Sequence, residues 1–220
     1  MLHRDVDRGN PRAYQSKRPA RPSRAQRVTV MIDVIEIKDF FDRDACTAIR
    51  AELSEAAGGP ATVLGRDSDG SVQPLVRRVT RVAIPPATRE RVTQLLEARK
   101  EILERHFGVR LFRCEEPQFL RYRAGDFFVA HQDGNTPLIH DESRFRKISA
   151  VIFLSAQTPE PAYGSYGGGS LVLYGPYSGP PLQLPLAPRP GTLVCFRAET
   201  THEVTPVTHG ERFTIVSWYR

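Results

Sequence analysis

Apolar residues recur along the chain with two different periods, and the change falls near residue 109. Before it the spacing is helical. An extended apolar entry over Val28–Ile37 leads to Asp42, which stands as an N-cap ahead of Cys46, Ile49, Leu53 and Ala57. Three- and four-residue steps of this kind mark one face of a helix, and Gly58, Gly59 and Pro60 stop it. Residues 65–74 read as a loop and Val76–Val82 as a β-rich stretch. A second helix opens near Pro86 and carries Val92, Leu95, Leu96, Ile102, Leu103 and His106 before Gly108.

Beyond Val109 short β-prone runs take over. They are Gln118–Tyr122, Phe127–His131, Lys147–Leu154, Ser170–Tyr174, Leu182–Leu186, Thr192–Phe196, His202–Val207 and Phe213–Tyr219, divided by Gly, Pro, Asn and Asp turns. Many short strands of this kind close into a sandwich or barrel. The expected fold is mainly β with flanking helices: a jelly-roll, cupin-like double-stranded β-helix buttressed by two or more N-terminal helices.

Composition narrows the class. The chain's 220 residues, 40% hydrophobic and 25% charged, suit one globular domain. The longest strongly apolar run, Ile148–Leu154, is too short to cross a bilayer, so no membrane role is expected. Three scattered cysteines (Cys46, Cys114, Cys195) make no disulfide framework, which fits a reducing, cytoplasmic setting. Residues 1–28 hold eight basic and two acidic side chains, the whole of the formal +6, and leave 23 groups of each sign in the remainder. The basic excess is therefore a tail and not a face, which argues against a nucleic-acid footprint. That tail is Pro-containing and poor in aliphatics, so it is expected to be disordered, and Met31 is an alternative start. The folded domain is expected over 29–220, with helical support in 29–115 and the core in 116–220.

The chemistry gathers in the β block. In His131-Gln132-Asp133 the two ligand-bearing residues are two apart, so on a strand both point to one side. His202 opens another β-rich run 71 residues later. Two imidazoles and one carboxylate on one face of a metal leave adjacent positions open, the facial arrangement of non-haem Fe(II) oxygenases. Ten residues after His202, Arg212 heads the otherwise apolar run Phe213–Tyr219. A guanidinium there needs an anion, either a ligand carboxylate or one of the protein's own acids.

Taken together these residues resemble the 2-oxoglutarate/Fe(II)-dependent dioxygenases, in their prolyl 4-hydroxylase-like branch. The resemblance covers roughly Gln118–Arg220. It runs through Phe119–Phe128 ahead of the H-x-D, the apolar strand Ile148–Ser155, the turn Gly168-Gly169-Ser170-Leu171, the approach Pro190–Phe196, and the close from His202 through Val207 to Gly210–Phe213. It implies that His131, Asp133 and His202 bind iron and that Arg212 holds the distal carboxylate of 2-oxoglutarate. Tyr122 would offer its hydroxyl to the cosubstrate and Thr214 a further hydrogen bond. Fe(II), 2-oxoglutarate, O2 and ascorbate are the implied cofactors, and hydroxylation of a prolyl or other residue in a protein or peptide, or of a free amino acid, is the implied activity. Relatives often carry Tyr in the strand after the H-x-D, where this chain has Phe153.

Other features read blandly. His140 is a solvated loop residue, His106 and His209 are structural, Trp218 is core, and Gly167-Gly168-Gly169 is a flexible turn. Residues 156–169, with Pro159, Pro161, Tyr163 and Tyr166, are the candidate mobile lid. Two rivals stand beside the oxygenase reading. One is a non-catalytic metal-binding jelly roll serving as sensor or scaffold. The other is a nucleic-acid dealkylating dioxygenase, which would use the basic cluster Arg121, Arg123, Arg144, Arg146 and Lys147.

Overall fold

The computed structural model describes residues 32–62, 71–137, 139–175 and 182–220. The basic tail, the alternative start and residues 65–70 of the expected loop lie outside them.

Strand β1 (Val34–Ile37) leads into helix α1 (Arg43–Glu55). The Asp42 carboxylate accepts from the Ala45 amide at 2.7 Å, the side-chain cap its position suggests. Cys46, Ile49 and Leu53 are buried as the spacing predicts. Gly58–Pro60, expected only as a stop, forms a short strand, β2.

The stretch 76–82 is not one strand but two, β3 (Arg77–Arg78) and β4 (Thr80–Val82), which join different sheets on either side of Val79. The expected second helix is likewise two: α2 (Pro86–Glu97) and α3 (Lys100–Phe107). The break is a tightened turn in which the Arg99 amide donates to Leu96 O at 2.8 Å. It redirects the chain so that Leu103 and Phe107 are buried while Ile102 faces outward. Gly108 ends α3 in the left-handed conformation, φ 63°.

The β block follows as β5 (Gln118–Tyr122), β6 (Phe127–His131), β7 (Ile148–Phe153), β8 (Ala156–Gln157), β9 (Ser165–Gly168), β10 (Leu171–Tyr174), β11 (Gln183–Leu186), β12 (Leu193–Arg197), β13 (His202–Val204), β14 (Val207–Gly210) and β15 (Arg212–Tyr219). Among the described residues they form a seven-stranded sheet in the order β1-β12-β7-β15-β5-β4-β2. A five-stranded sheet runs β11-β10-β13-β6-β3, and a small third one β14-β9-β8.

Strand β7 explains the layering. Ile148, Ala150 and Ile152 join the helices' Leu53, Leu96, Leu103 and Phe107 in one core. Its alternate residues Val151 and Phe153 pack against Leu171 and Leu173 of the second sheet. Both faces are covered, so the strand reads as a continuous apolar run. The result is the helix-buttressed jelly roll expected, with one difference: residues 32–115 supply not only helices but edge strands to both sheets.

The candidate lid is largely structure. Strands β8 and β9 pair in parallel and Tyr166 is buried, while Arg50 Nη1 donates to Gly164 O at 2.7 Å and holds the loop tip to α1.

Candidate active site

Antiparallel pairing of β6 with β13 sets His131 directly opposite His202, with ring centroids 4.2 Å apart. Asp133 lies just past the end of β6. Its amide donates to Ala198 O at 2.9 Å, and that of Gly134 to the same oxygen at 3.2 Å. These bonds return the chain so that the Asp133 carboxylate comes back to the imidazoles.

Each histidine is oriented by its own backbone. His131 Nδ1 donates to Val129 O at 2.8 Å and His202 Nδ1 to Thr200 O at 2.9 Å. With Nδ1 carrying the proton, Nε2 is left as the lone-pair nitrogen of both rings. The two Nε2 atoms sit 3.6 and 3.4 Å from the two Asp133 oxygens. One ligand atom from each residue lies within 4.8 Å of the others. Two imidazoles and a carboxylate at this separation match the donor set of a facial-triad Fe(II) site.

The electrostatics favour a charged Asp133 carboxylate and a neutral His202. Burial pushes the Asp133 carboxyl up, but His202, His131 and the Ser149 hydroxyl outweigh it and hold the group well below the usual carboxylate range. Ser149 Oγ, on β7, donates to Asp133 Oδ2 at 2.7 Å. Burial, reinforced by the neighbouring His131, pushes His202 down to about 4 against the opposing pull of Asp133.

Arg212 opens β15 opposite Tyr122 of β5 and is 1% exposed. Its Nη1 donates to Thr214 Oγ1 at 3.2 Å, and its guanidinium faces the rings of Tyr122 and Phe153 at 4.9 and 5.2 Å. Nε has no partner, and among the described residues no carboxylate pairs with this charge. The alternative of an internal acid is thereby excluded for those residues. Phe153 serves as a cation–π wall where a phenol would have offered a hydroxyl. Thr214 does not line the cavity; it touches the guanidinium instead.

His131, Asp133, His202, Tyr122 and Arg212 line a single cavity of about 540 Å³. A buried guanidinium lacking an anion is costly, so this cavity could take an acidic ligand beside three residues that could hold a metal.

A family model described as the 2OG-Fe(II) oxygenase superfamily matches residues 117–220. A PKHD-type hydroxylase of Burkholderia ambifaria is 30% identical over 194 residues, covering 84% of this chain and 77% of that protein. The chain belongs to the 2OG-Fe(II) oxygenase superfamily. It is an oxygenase of the PKHD/prolyl hydroxylase type, and membership implies Fe(II), 2-oxoglutarate and O2. Among solved structures, a Pseudomonas putida prolyl-4-hydroxylase has the same fold, with TM-score 0.62 at 21% identity over 86% of this chain and 92% of that one. A prolyl hydroxylase from Trichoplax adhaerens, solved with a hypoxia inducible factor peptide fragment, shares the fold at TM-score 0.61 and 15% identity, over 85% and 83% of the two chains.

Several residues of this oxygenase's cavity escaped the sequence reading. Ser149 is one. It was buried inside an apolar run, yet its alternation with Val151 and Phe153 marks it as facing the site. Trp218, read as core, is buried and also lines the cavity, and Arg146 stacks on its ring at 3.7 Å while pairing with Glu115 at 2.8 Å. His140, read as a solvated loop residue, is exposed and also borders the cavity.

Members of the basic cluster that would serve the nucleic-acid alternative are engaged by the chain itself. Arg121 donates to Leu53 O and Ser54 O, Arg123 pairs with Glu211, and Lys147 donates to Arg110 O. No helix among the described residues is long and apolar enough to cross a membrane.

Proposed function

We propose that this oxygenase hydroxylates an aliphatic C–H bond, in a prolyl or other residue of a peptide or protein or in a free amino acid. His131, Asp133 and His202 would hold Fe(II), and Arg212 would receive the distal carboxylate of 2-oxoglutarate. The observation that carries the reading is the buried, anion-less Arg212 guanidinium opening on the same cavity as the triad. Further support for a peptide or protein substrate is that the Trichoplax neighbour is a prolyl hydroxylase seen with a peptide.

The reaction balances as substrate C–H, O2 and 2-oxoglutarate giving C–OH, CO2 and succinate. Bound Fe(II) supplies the activation of O2. The chain's own groups do the rest. Nε2 of each histidine and one Asp133 oxygen would hold the metal. The planar fork of Arg212 meets a carboxylate with two parallel hydrogen bonds. Thr214 holds that fork through Nη1, and Tyr122 would offer its hydroxyl to the cosubstrate. Phe153 and Leu171 keep bulk water from this end of the site.

Ascorbate would restore Fe(II) after turnover that misses the substrate. Residues 29–220 would form the catalytic domain, with 29–115 as support and 116–220 as core. Three buried, unpaired cysteines fit a cytoplasmic setting.

Purified protein given Fe(II), ascorbate and 2-oxoglutarate should release succinate. His131→Ala should abolish it, and Arg212→Ala should raise the 2-oxoglutarate requirement at least ~30-fold and remove the coloured anaerobic complex. Unchanged turnover in His131→Ala would overturn the assignment.

A further inference from the structure

Four arginines line the cavity: Arg77, Arg81, Arg146 and Arg212. Glu115 neutralises Arg146, and under the proposed function a cosubstrate carboxylate neutralises Arg212. Arg77 and Arg81 are left. Neither pairs with a carboxylate among the described residues. Arg81 is exposed, but Arg77 is 8% exposed and carries its charge inside the wall. Its Nη1 donates to Thr62 O at 2.9 Å and its Nε has no partner. The cavity's acids are Asp133 and Asp141; the first faces the histidines, and the second accepts from the Ser143 amide. Once 2-oxoglutarate is in place, the pocket therefore keeps a buried positive charge that nothing in the described chain balances.

The position of that charge is fixed. β3 sets Arg77 opposite Phe128 of β6, with the guanidinium over the Phe128 ring at 4.8 Å. The same ring stacks on His131 at 3.5 Å. Arg77 thus lies at most about 8 Å from the His131 imidazole, no more than roughly two extended residues.

We infer that Arg77 selects the substrate by binding a carboxylate that lies a few bonds from the oxidised carbon. This rests on the oxygenase reading above and names its substrate class: a carboxylic acid of amino-acid size, or a peptide presenting such an acid. The fork geometry of a guanidinium suits a carboxylate far better than an amide, whose NH2 would face a second donor.

The test uses the full chain with Fe(II) and 2-oxoglutarate, reading succinate release stimulated by N-acetyl amino acids. Each is supplied as the free acid, as the primary amide, and as the amide extended by a glutamate whose own α-carboxyl is amidated. Free acids should stimulate at least about tenfold better than primary amides. A glutamate-extended amide that matches the free acid places the carboxylate on a peptide side chain; one that behaves like the primary amide places it at the free terminus. Arg77→Gln should bring the acid-to-amide ratio towards one, and Arg77→Lys should restore part of it.

Equal stimulation by acids and amides, stimulation by neither, or an intact ratio in Arg77→Gln would overturn the inference alone. So would a rise in 2-oxoglutarate KM in Arg77→Gln with the ratio preserved, since that assigns Arg77 to the cosubstrate. No 2-oxoglutarate-dependent succinate from wild type under any condition would instead remove the oxygenase reading, and this inference with it.

Discussion

At the scale of single residues, the site depends on groups that never touch the reacting atoms. Ser149 is the clearest. Its hydroxyl donates to Asp133 Oδ2, so it fixes which way the carboxylate turns and leaves Oδ1 nearer His131. Ser149→Ala keeps the volume and removes that bond. Groups that orient metal ligands are typically worth 10- to 100-fold in metal affinity. Titration with Ni(II) or Fe(II) under anaerobic conditions should therefore show roughly 10- to 100-fold weaker binding for Ser149→Ala, with thermal stability of the metal-free protein little altered. The sequence discloses the triad through the H-x-D spacing, although Asp133 lies past the end of β6 and is returned by its backbone and not by strand alternation, and it discloses Arg212 because a charge interrupts an apolar run. It hides Ser149 and Arg77, because a small hydroxyl in a strand and an arginine at a strand start are ordinary until their unsatisfied partners are seen. Phe153 also makes sense only in three dimensions. Substituting a ring for a phenol leaves a π face against Arg212, which the linear motif cannot express.

At the scale of elements, helical periodicity located the apolar stripes but not the break between α2 and α3. Leu95, Leu96, Ile102 and Leu103 continue one pattern in sequence, while the tightened turn at Arg99 rotates the second half, and no glycine or proline announces it. The split of 76–82 between two sheets was equally silent, because β-propensity reports that a residue fits a pleat and not which sheet receives it. Turns were better marked. Gly191, in the approach to β12, adopts φ 84°; its carbonyl accepts from the Phe41 amide at 3.1 Å and its amide donates to Phe153 O at 2.8 Å. A Cβ there would run onto the Phe41 carbonyl. Gly191→Ala should thus cost at least about 1–3 kcal/mol through backbone strain and the clash, seen as a lower midpoint in urea with an unchanged slope. A larger loss of succinate release than of stability would show that the turn also sets Phe153 against Arg212.

At the scale of the whole molecule, the support and the core share one interior. Leu53, Leu96 and Leu103 are fully buried against Ile148, Ile152, Leu193 and Ile215, so the helices cover the outer face of the seven-stranded sheet. Each of those leucines contributes about 1.5–3 kcal/mol by burial, a large fraction of the net stability of a domain this size. Strands β1, β2 and β4 also complete that sheet and β3 completes the second. A fragment beginning at residue 116, although it contains His131, Asp133, His202 and Arg212, would expose the apolar face of β7 and leave strand edges unpaired. It should bind a hydrophobic dye, lack near-ultraviolet circular dichroism, and show no cooperative urea transition, whereas 29–220 should unfold in one. It should also lose acid selectivity by construction, since Arg77 reaches the cavity only through β3. A cooperative, metal-binding 116–220 fragment would mean that the two-sided packing of β7 is dispensable and that the helices are an accessory layer.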